Sequence, residues 1–106
     1  MQFTSEMALK VENLSKKATT RYSLHDVGIY DAIKGDRYHP VKFARIYIYE
    51  VRKTTWQDVI DNHYIEEGFR SPIAMVAFLK KKKLVKGDIN DKVYFHRFVK
   101  YGERML

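Results

Sequence analysis

Residues 15–21 read SKKATTR, and how this stretch is taken decides the fold of the whole chain. It packs two lysines, two threonines and an arginine into seven consecutive positions, and two readings compete. If a helix runs up to Lys16 and Lys17, their ammonium groups complement the negative end of its dipole, and an exposed strand follows. If the stretch is a strand edge entering a cleft, it gathers cations and hydroxyls at one spot. The sequence on either side has to decide.

On the N-terminal side, SEMALKVENL (5–14) sets Met7, Leu9, Val11 and Leu14 at helical spacings behind Thr4 or Ser5 as a cap, which predicts a short helix. On the C-terminal side a polar, Gly-containing stretch (22–40) leads into VKFARIYIYEVR (41–52), β-branched and aromatic with no breaker, hence a long strand. Its faces are both mixed: Lys42, Ala44, Ile46, Ile48, Glu50 and Arg52 alternate with Val41, Phe43, Arg45, Tyr47, Tyr49 and Val51. TTWQDVIDNHY (54–64) predicts a short helix capped by Thr54 or Thr55. Gly68 then allows a tight turn, and Ser71-Pro72 opens a second helix with Ile73, Val76 and Ala77 facing one way and Met75, Phe78 and Leu79 widening the stripe. KGDIND (86–91) turns the chain into a closing strand, KVYFHRFVKY (92–101). The pattern predicts one α+β domain over 1–106, a small, strongly curved mixed sheet or barrel flanked by short helices.

Composition narrows the function. A content of 45% apolar and 14% aromatic residues supports a real core. The absence of cysteine excludes disulfides and thiolate metal sites. No apolar run approaches the roughly 18 residues of a membrane span, and the first residues lack a signal pattern, so a soluble, cytoplasmic, monomeric protein is expected. The net charge of +7 favours an anionic partner, nucleic acid first. It is unevenly spread: residues 1–53 carry ten basic and six acidic side chains, 54–79 one and four, and 80–106 nine and three.

His25, His39, His63 and His96 are scattered without a paired spacing, and no Gly-rich phosphate loop or GxSxG elbow is present. No metal and no cofactor are therefore expected. Lys80, Lys81, Lys82 and Lys83, with Lys86 beyond, form either a solvated helix end or a phosphate-binding run. Eight tyrosines offer stacking surfaces for unpaired bases.

SKKATTR resembles the GKKTxTxR element of the ASCH domain, a relative of the RNA-binding PUA domains, and EEGFRSPIAMVAFL (66–79) resembles its second hallmark, an acidic-Gly-aromatic turn followed by a helix. The motifs stand in order, about 45 residues apart, with Gly35-Asp36 before the long strand, so the resemblance covers nearly the whole chain. It implies a PUA-like β-barrel with helices closing one side and a cleft between them. It further implies binding of single-stranded RNA, a nucleotide or a modified cytidine, and the residues expected to make the contacts are Lys16, Lys17, Arg21, Tyr22 and Arg70, with Lys80 to Lys83 added by their charge. Some small members are amidohydrolases that deacetylate 4-acetylcytidine, and by motif position their catalytic groups fall on Lys17, Thr20 and Glu67. The sequence departs from the pattern at Ser15, Ala18 and Arg21, the last one position early, which leaves Thr19 or Thr20 as the inward hydroxyl. The expectation is thus an RNA- or nucleoside-binding module, with the amidohydrolase as alternative and a basic protein-interaction module behind both.

Overall fold

The computed structural model describes residues 1–36 and 38–101, so the reading of 1–106 as one domain extends past it at position 37 and beyond Tyr101. Helix α1 (Ser5–Glu12) begins where the Thr4 hydroxyl accepts the Met7 N–H at 3.2 Å, and it buries Met7, Ala8 and Val11. It stops two residues earlier than the spacing predicted. Asn13 caps it and Leu14 adopts a left-handed φ of 68°. Strand β1 (Ala18–Arg21) follows, then β2 (Gly28–Lys34), then β3 (Val41–Thr55). The β2 strand falls inside the stretch read as polar and Gly-containing, because Ile29 and Asp31 share its exposed face and Ala32 is its one fully buried residue, so no apolar alternation marks it.

Thr55 caps α2 (Trp56–Asn62) by accepting the Asp58 N–H at 3.2 Å, and Ser71 caps α3 (Pro72–Lys82) by accepting the Ala74 N–H at 3.1 Å. The buried stripe of α3 is Met75 and Leu79, one turn apart; Ile73, expected on the inner face, is 82% exposed. Among the described residues no helix is long and apolar enough to cross a membrane.

The four strands, with β4 (Lys92–Lys100) inserted between β1 and β3, form one sheet in the order β1-β4-β3-β2, and every neighbouring pair is antiparallel. This corrects the expected mixed sheet: among the described residues the parallel contribution is a single bridge, Gln2 to Ile33. Tyr49 is the extra residue of a bulge between Ile48 and Glu50, so the inward alternation of Ala44, Ile46 and Ile48 breaks there and the strand turns with added twist. That bulge is why both faces of 41–52 look mixed in the sequence. The central strand β4 is covered on both sides. Phe98 meets Phe3 on one face, with ring centroids 6.1 Å apart, and Phe95 stacks under His63 on the other at 4.5 Å.

The sheet curls but does not close into a barrel by backbone pairing. Beyond β2, Phe3 N–H donates to Ile33 O (2.8 Å) and Ile33 N–H to Met1 O (2.9 Å), so the N-terminal residues extend that edge. From the opposite edge, the Arg21 guanidinium on β1 donates to Gln2 O at 2.7 Å. A side chain thus spans the seam where a barrel would have a ladder. This leaves a gap lined from both edges.

Candidate functional site: a lysine–glutamate–threonine cluster at the seam

The site is assembled by two turns. After the left-handed Leu14, the N–H groups of Ser15 and Lys16 both return to Lys10 O at 3.0 Å, which reverses the chain and sends Lys16 inward. Beyond α2, the turn 64–69 closes through Glu67 N–H to His63 O (3.1 Å) and Phe69 N–H to Tyr64 O (2.9 Å). Gly68 sits there at φ +100°, and a Cβ on it would lie 3.1 Å from Lys10 Cδ and 3.4 Å from Lys16 Cβ. Two lysines grip this turn: Lys10 Nζ donates to Gly68 O at 2.6 Å and lies 4.7 Å from the centre of the Phe69 ring, while Lys16 donates to Glu67 O at 3.0 Å.

Lys16 and Glu67 are both buried, and the ammonium donates to Glu67 Oε1 at 2.8 Å. Thr20 completes the cluster, its hydroxyl donating to Glu67 Oε2 at 2.5 Å. Burial pushes the Lys16 ammonium below its ordinary value, and the carboxylate beside it opposes that shift. The neighbouring Glu66 turns the other way. It accepts both Nε (2.7 Å) and Nη2 (3.0 Å) of Arg97, whose guanidinium holds its carboxyl below the usual range.

The structure therefore corrects one expected placement. Lys17, assigned to face Glu67, has an exposed side chain; only its backbone engages this turn, N–H to Glu66 O at 2.7 Å. The early end of α1 makes the chain extended by Lys16, and successive residues of an extended chain point opposite ways, so one residue of shift exchanges the two lysines. The reading of both lysines as helix-end charges also falls, since the last turn of α1 holds Lys10 instead. The threonines separate too: Thr20 reaches Glu67, whereas the Thr19 hydroxyl accepts Arg21 Nε–H at 3.1 Å.

These groups open on a cavity of about 330 Å³ whose walls include Phe3, Met7, Tyr22, Trp56, Phe69 and Phe78. Arg21 lies 5.1 Å from the centre of the Phe3 ring. The Tyr22 hydroxyl accepts from Trp56 Nε1 (3.0 Å) and from the Lys86 N–H (2.9 Å), tying the chain just past β1 to α2 and to the segment after α3. The other predicted contacts lie outside. Arg70 is exposed and does not line the cavity, and Lys80 to Lys83 are exposed around the end of α3, where Lys82 meets Glu6 at 3.4 Å. Lys80 and Lys83 instead border a second hollow of about 420 Å³ floored by Ile60, Val76, Val85 and Ile89.

Sequence reasoning missed Trp56 and Lys86 as cleft residues and gave no role to His96. Trp56 carried an amphipathic signal, but nothing local marks His96. Fully buried, it donates from Nδ1 to Thr19 O (3.2 Å), since a carbonyl can only accept, and its Nε2 accepts the His25 backbone N–H (3.0 Å). Burial holds its pKa below the ordinary 6.5, against the Thr19 carbonyl that favours the charged form. A histidine neutral in the fold but protonated when unfolded adds stability above the unfolded value and loses it as pH falls toward the folded one. Urea unfolding is expected to show a decline in stability as pH falls below 6.5 that His96→Gln reduces. An identical decline in the variant would remove His96 as its source.

No family model matches the chain, and no curated protein matches it. Solved structures do. An ASCH domain of Lactobacillus crispatus superposes with a TM-score of 0.65 over 90% of this chain and 70% of its own, at 11% identity. A DUF984 protein of Enterococcus faecalis superposes with a TM-score of 0.61 over 91% of this chain and 67% of its own, at 16% identity. At such identities the likeness is one of fold, and the fold is ASCH-like: a small α+β domain with a four-stranded antiparallel sheet and three helices.

Proposed function

We propose that the seam cleft takes one base of a single-stranded RNA, or a free modified cytidine, and that lysines outside it hold phosphate. The observation that carries this reading is the buried Lys16–Glu67–Thr20 cluster set into a cavity of about 330 Å³ whose wall is mostly apolar and aromatic, with Arg21, His25 and Lys86 among its polar members. That volume lies at the small end of ligand sites, where a few placed polar groups in an apolar wall fix orientation. Aromatic walls suit a flat ring, and a carboxylate with a hydroxyl beside it suits the N–H and C=O pattern of a base edge. The net charge of +7 and the exposed Lys80 to Lys83 suit a polymer of phosphates.

Titration of the full chain with cytidine, 4-acetylcytidine, a short single-stranded RNA and duplex DNA tests this. Single-stranded RNA is expected to bind more tightly than duplex DNA, with log K falling by roughly 0.7 per phosphate contact for each decade of salt. Replacing Lys80 to Lys83 with glutamine should weaken all nucleic acids alike and flatten that slope. Equal affinity for duplex DNA, or no salt response, would overturn the reading.

One observation favours a second reading, hydrolysis of the acyl amide of a 4-acylated cytidine: the Thr20 hydroxyl already donates to a carboxylate. Glu67 would take the Thr20 proton as its oxygen attacks the acyl carbon, and return it to the departing amine; water would then cleave the ester and release acetate. Acetate release from 4-acetylcytidine that is lost in Thr20→Val and Glu67→Gln but kept in Lys17→Ala would support it. Absence of release in the unaltered protein leaves a binding cleft.

A further inference from the structure

We infer that the hollow beside α3 is a docking surface for an acidic segment of a partner protein, one that sets aliphatic side chains into the hollow and carboxylates on Lys80 and Lys83. This goes beyond the seam cleft and does not rest on its reading; among the described residues, Leu79 alone lines both. Ile60 from α2, Val76 and Leu79 from α3, and Val85 and Ile89 from the segment after α3 line a volume of about 420 Å³. That segment is pinned along its length, by Leu84 N–H to Leu79 O (3.0 Å), Lys86 N–H to the Tyr22 hydroxyl (2.9 Å) and Gln57 N–H to Ile89 O (2.9 Å). The hollow is therefore preformed, and its size is that of a ligand-taking pocket.

Charge and lining choose the occupant. Lys80 and Lys83 stand exposed at the rim, and among the described residues neither pairs with a carboxylate, whereas Lys82 meets Glu6. The next acids along the chain are turned into their own loop: Asp88 accepts the Asn90 N–H at 2.8 Å, and Asp91 the Asp88 N–H at 2.9 Å. Lysines at a helix end complement its dipole, which accounts for the charge but not for the apolar surface beside it. That surface extends along α3. Ile73 is 82% exposed and opens the helix face that continues through Val76 and Lys80. A large aliphatic side chain left in water at the margin of an aliphatic hollow marks an interaction site. The lining then decides the class of partner. Among the described residues it holds no aromatic ring to stack on and no hydroxyl or amide side chain, so a nucleic-acid base gains little there. A fatty carboxylate would fill the hollow but brings one charge to a run of four lysines. A protein segment carrying aliphatic and acidic residues together answers both features.

The test uses the full chain and a synthetic glutamate-rich peptide carrying leucines at helical spacing, with three further probes: the same peptide with serine for leucine, decanoate, and a short single-stranded RNA. Methyl NMR is expected to show Val76, Val85 and Ile89 move on saturation with the leucine peptide. Serine for leucine in the peptide, Ile73→Ser in the protein, and Lys80→Gln combined with Lys83→Gln should each weaken that complex roughly tenfold, the weight of one well-buried interface contact. Ile73→Ser changes a side chain already in water, so the variant keeps the fold, and it should leave RNA affinity unchanged. No movement of the three methyls with the leucine peptide overturns the inference. Equal binding of the serine peptide does so too, since that is charge attraction alone, as does full peptide affinity in Ile73→Ser. Decanoate that binds at those methyls more tightly than the peptide gives the hollow to a lipid chain, and RNA that moves them gives it to nucleic acid; either result overturns the inference and leaves the seam cleft as it stands.

Discussion

Lys16→Met is expected to lower the free energy of unfolding by about 3–5 kcal/mol, whereas Lys17→Met changes it by no more than about 0.5 kcal/mol. The two lysines are neighbours with the same chemistry, and only their surroundings differ. Lys16 is 5% exposed and gives its ammonium to Glu67 Oε1 and Glu67 O; Lys17 is exposed. Removing the Lys16 ammonium leaves a buried carboxylate whose one remaining donor, the Thr20 hydroxyl, cannot neutralise it. The double variant Lys16→Met with Glu67→Gln should recover part of the loss, because an amide can stay buried without a counter-charge. Urea unfolding of the four proteins settles the matter. Equal effects at both lysines would mean that the Lys16–Glu67 pair does not hold the two turns together, and the cleft would lose its foundation.

Phe95→Ala is expected to cost about 3–5 kcal/mol, the range for deleting a large buried aromatic side chain. Phe95 is 1% exposed, stacked under His63 at 4.5 Å and faced by the Arg97 guanidinium at 5.1 Å. It belongs to the face of β4 opposite Phe98, so the loss measures whether the α2 side of the sheet is a true second core. Val99→Ala, at a site 49% exposed on the same strand, serves as the control and should fall within about 0.5 kcal/mol. A small effect at Phe95 would show that this face repacks, and that α2 and the turn beyond it are only loosely held.

Much of the element order is legible without coordinates. The capping pairs Thr4 or Ser5 and Thr54 or Thr55, Ser71 with the proline behind it at the head of α3, and the β-branched and aromatic, breaker-free runs of β3 and β4 are local signals, and each element forms where its own residues ask for it. The two motifs at 15–21 and 66–79 likewise marked the segments that meet, and Glu67 and Thr20 are found together. The β2 strand escaped because pairing with β3 on one side and with Met1–Phe3 on the other stabilises a segment whose own pattern is weak.

What the sequence determined by itself is therefore everything written within a few residues: composition, charge, caps, the long strand and the two motifs. Which lysine enters the cleft was decided elsewhere, by a left-handed Leu14 that ends α1 early and reverses the parity of the chain behind it. The open seam, spanned by Arg21 and Gln2, depends on the curl of a sheet whose edge strands β1 and β2 follow each other in sequence but are separated by β4 and β3 in space. The pairing of His25 with His96 joins positions 71 residues apart. Such contacts leave no local trace, because each depends on the other side of the fold being in place before it has any energy to contribute.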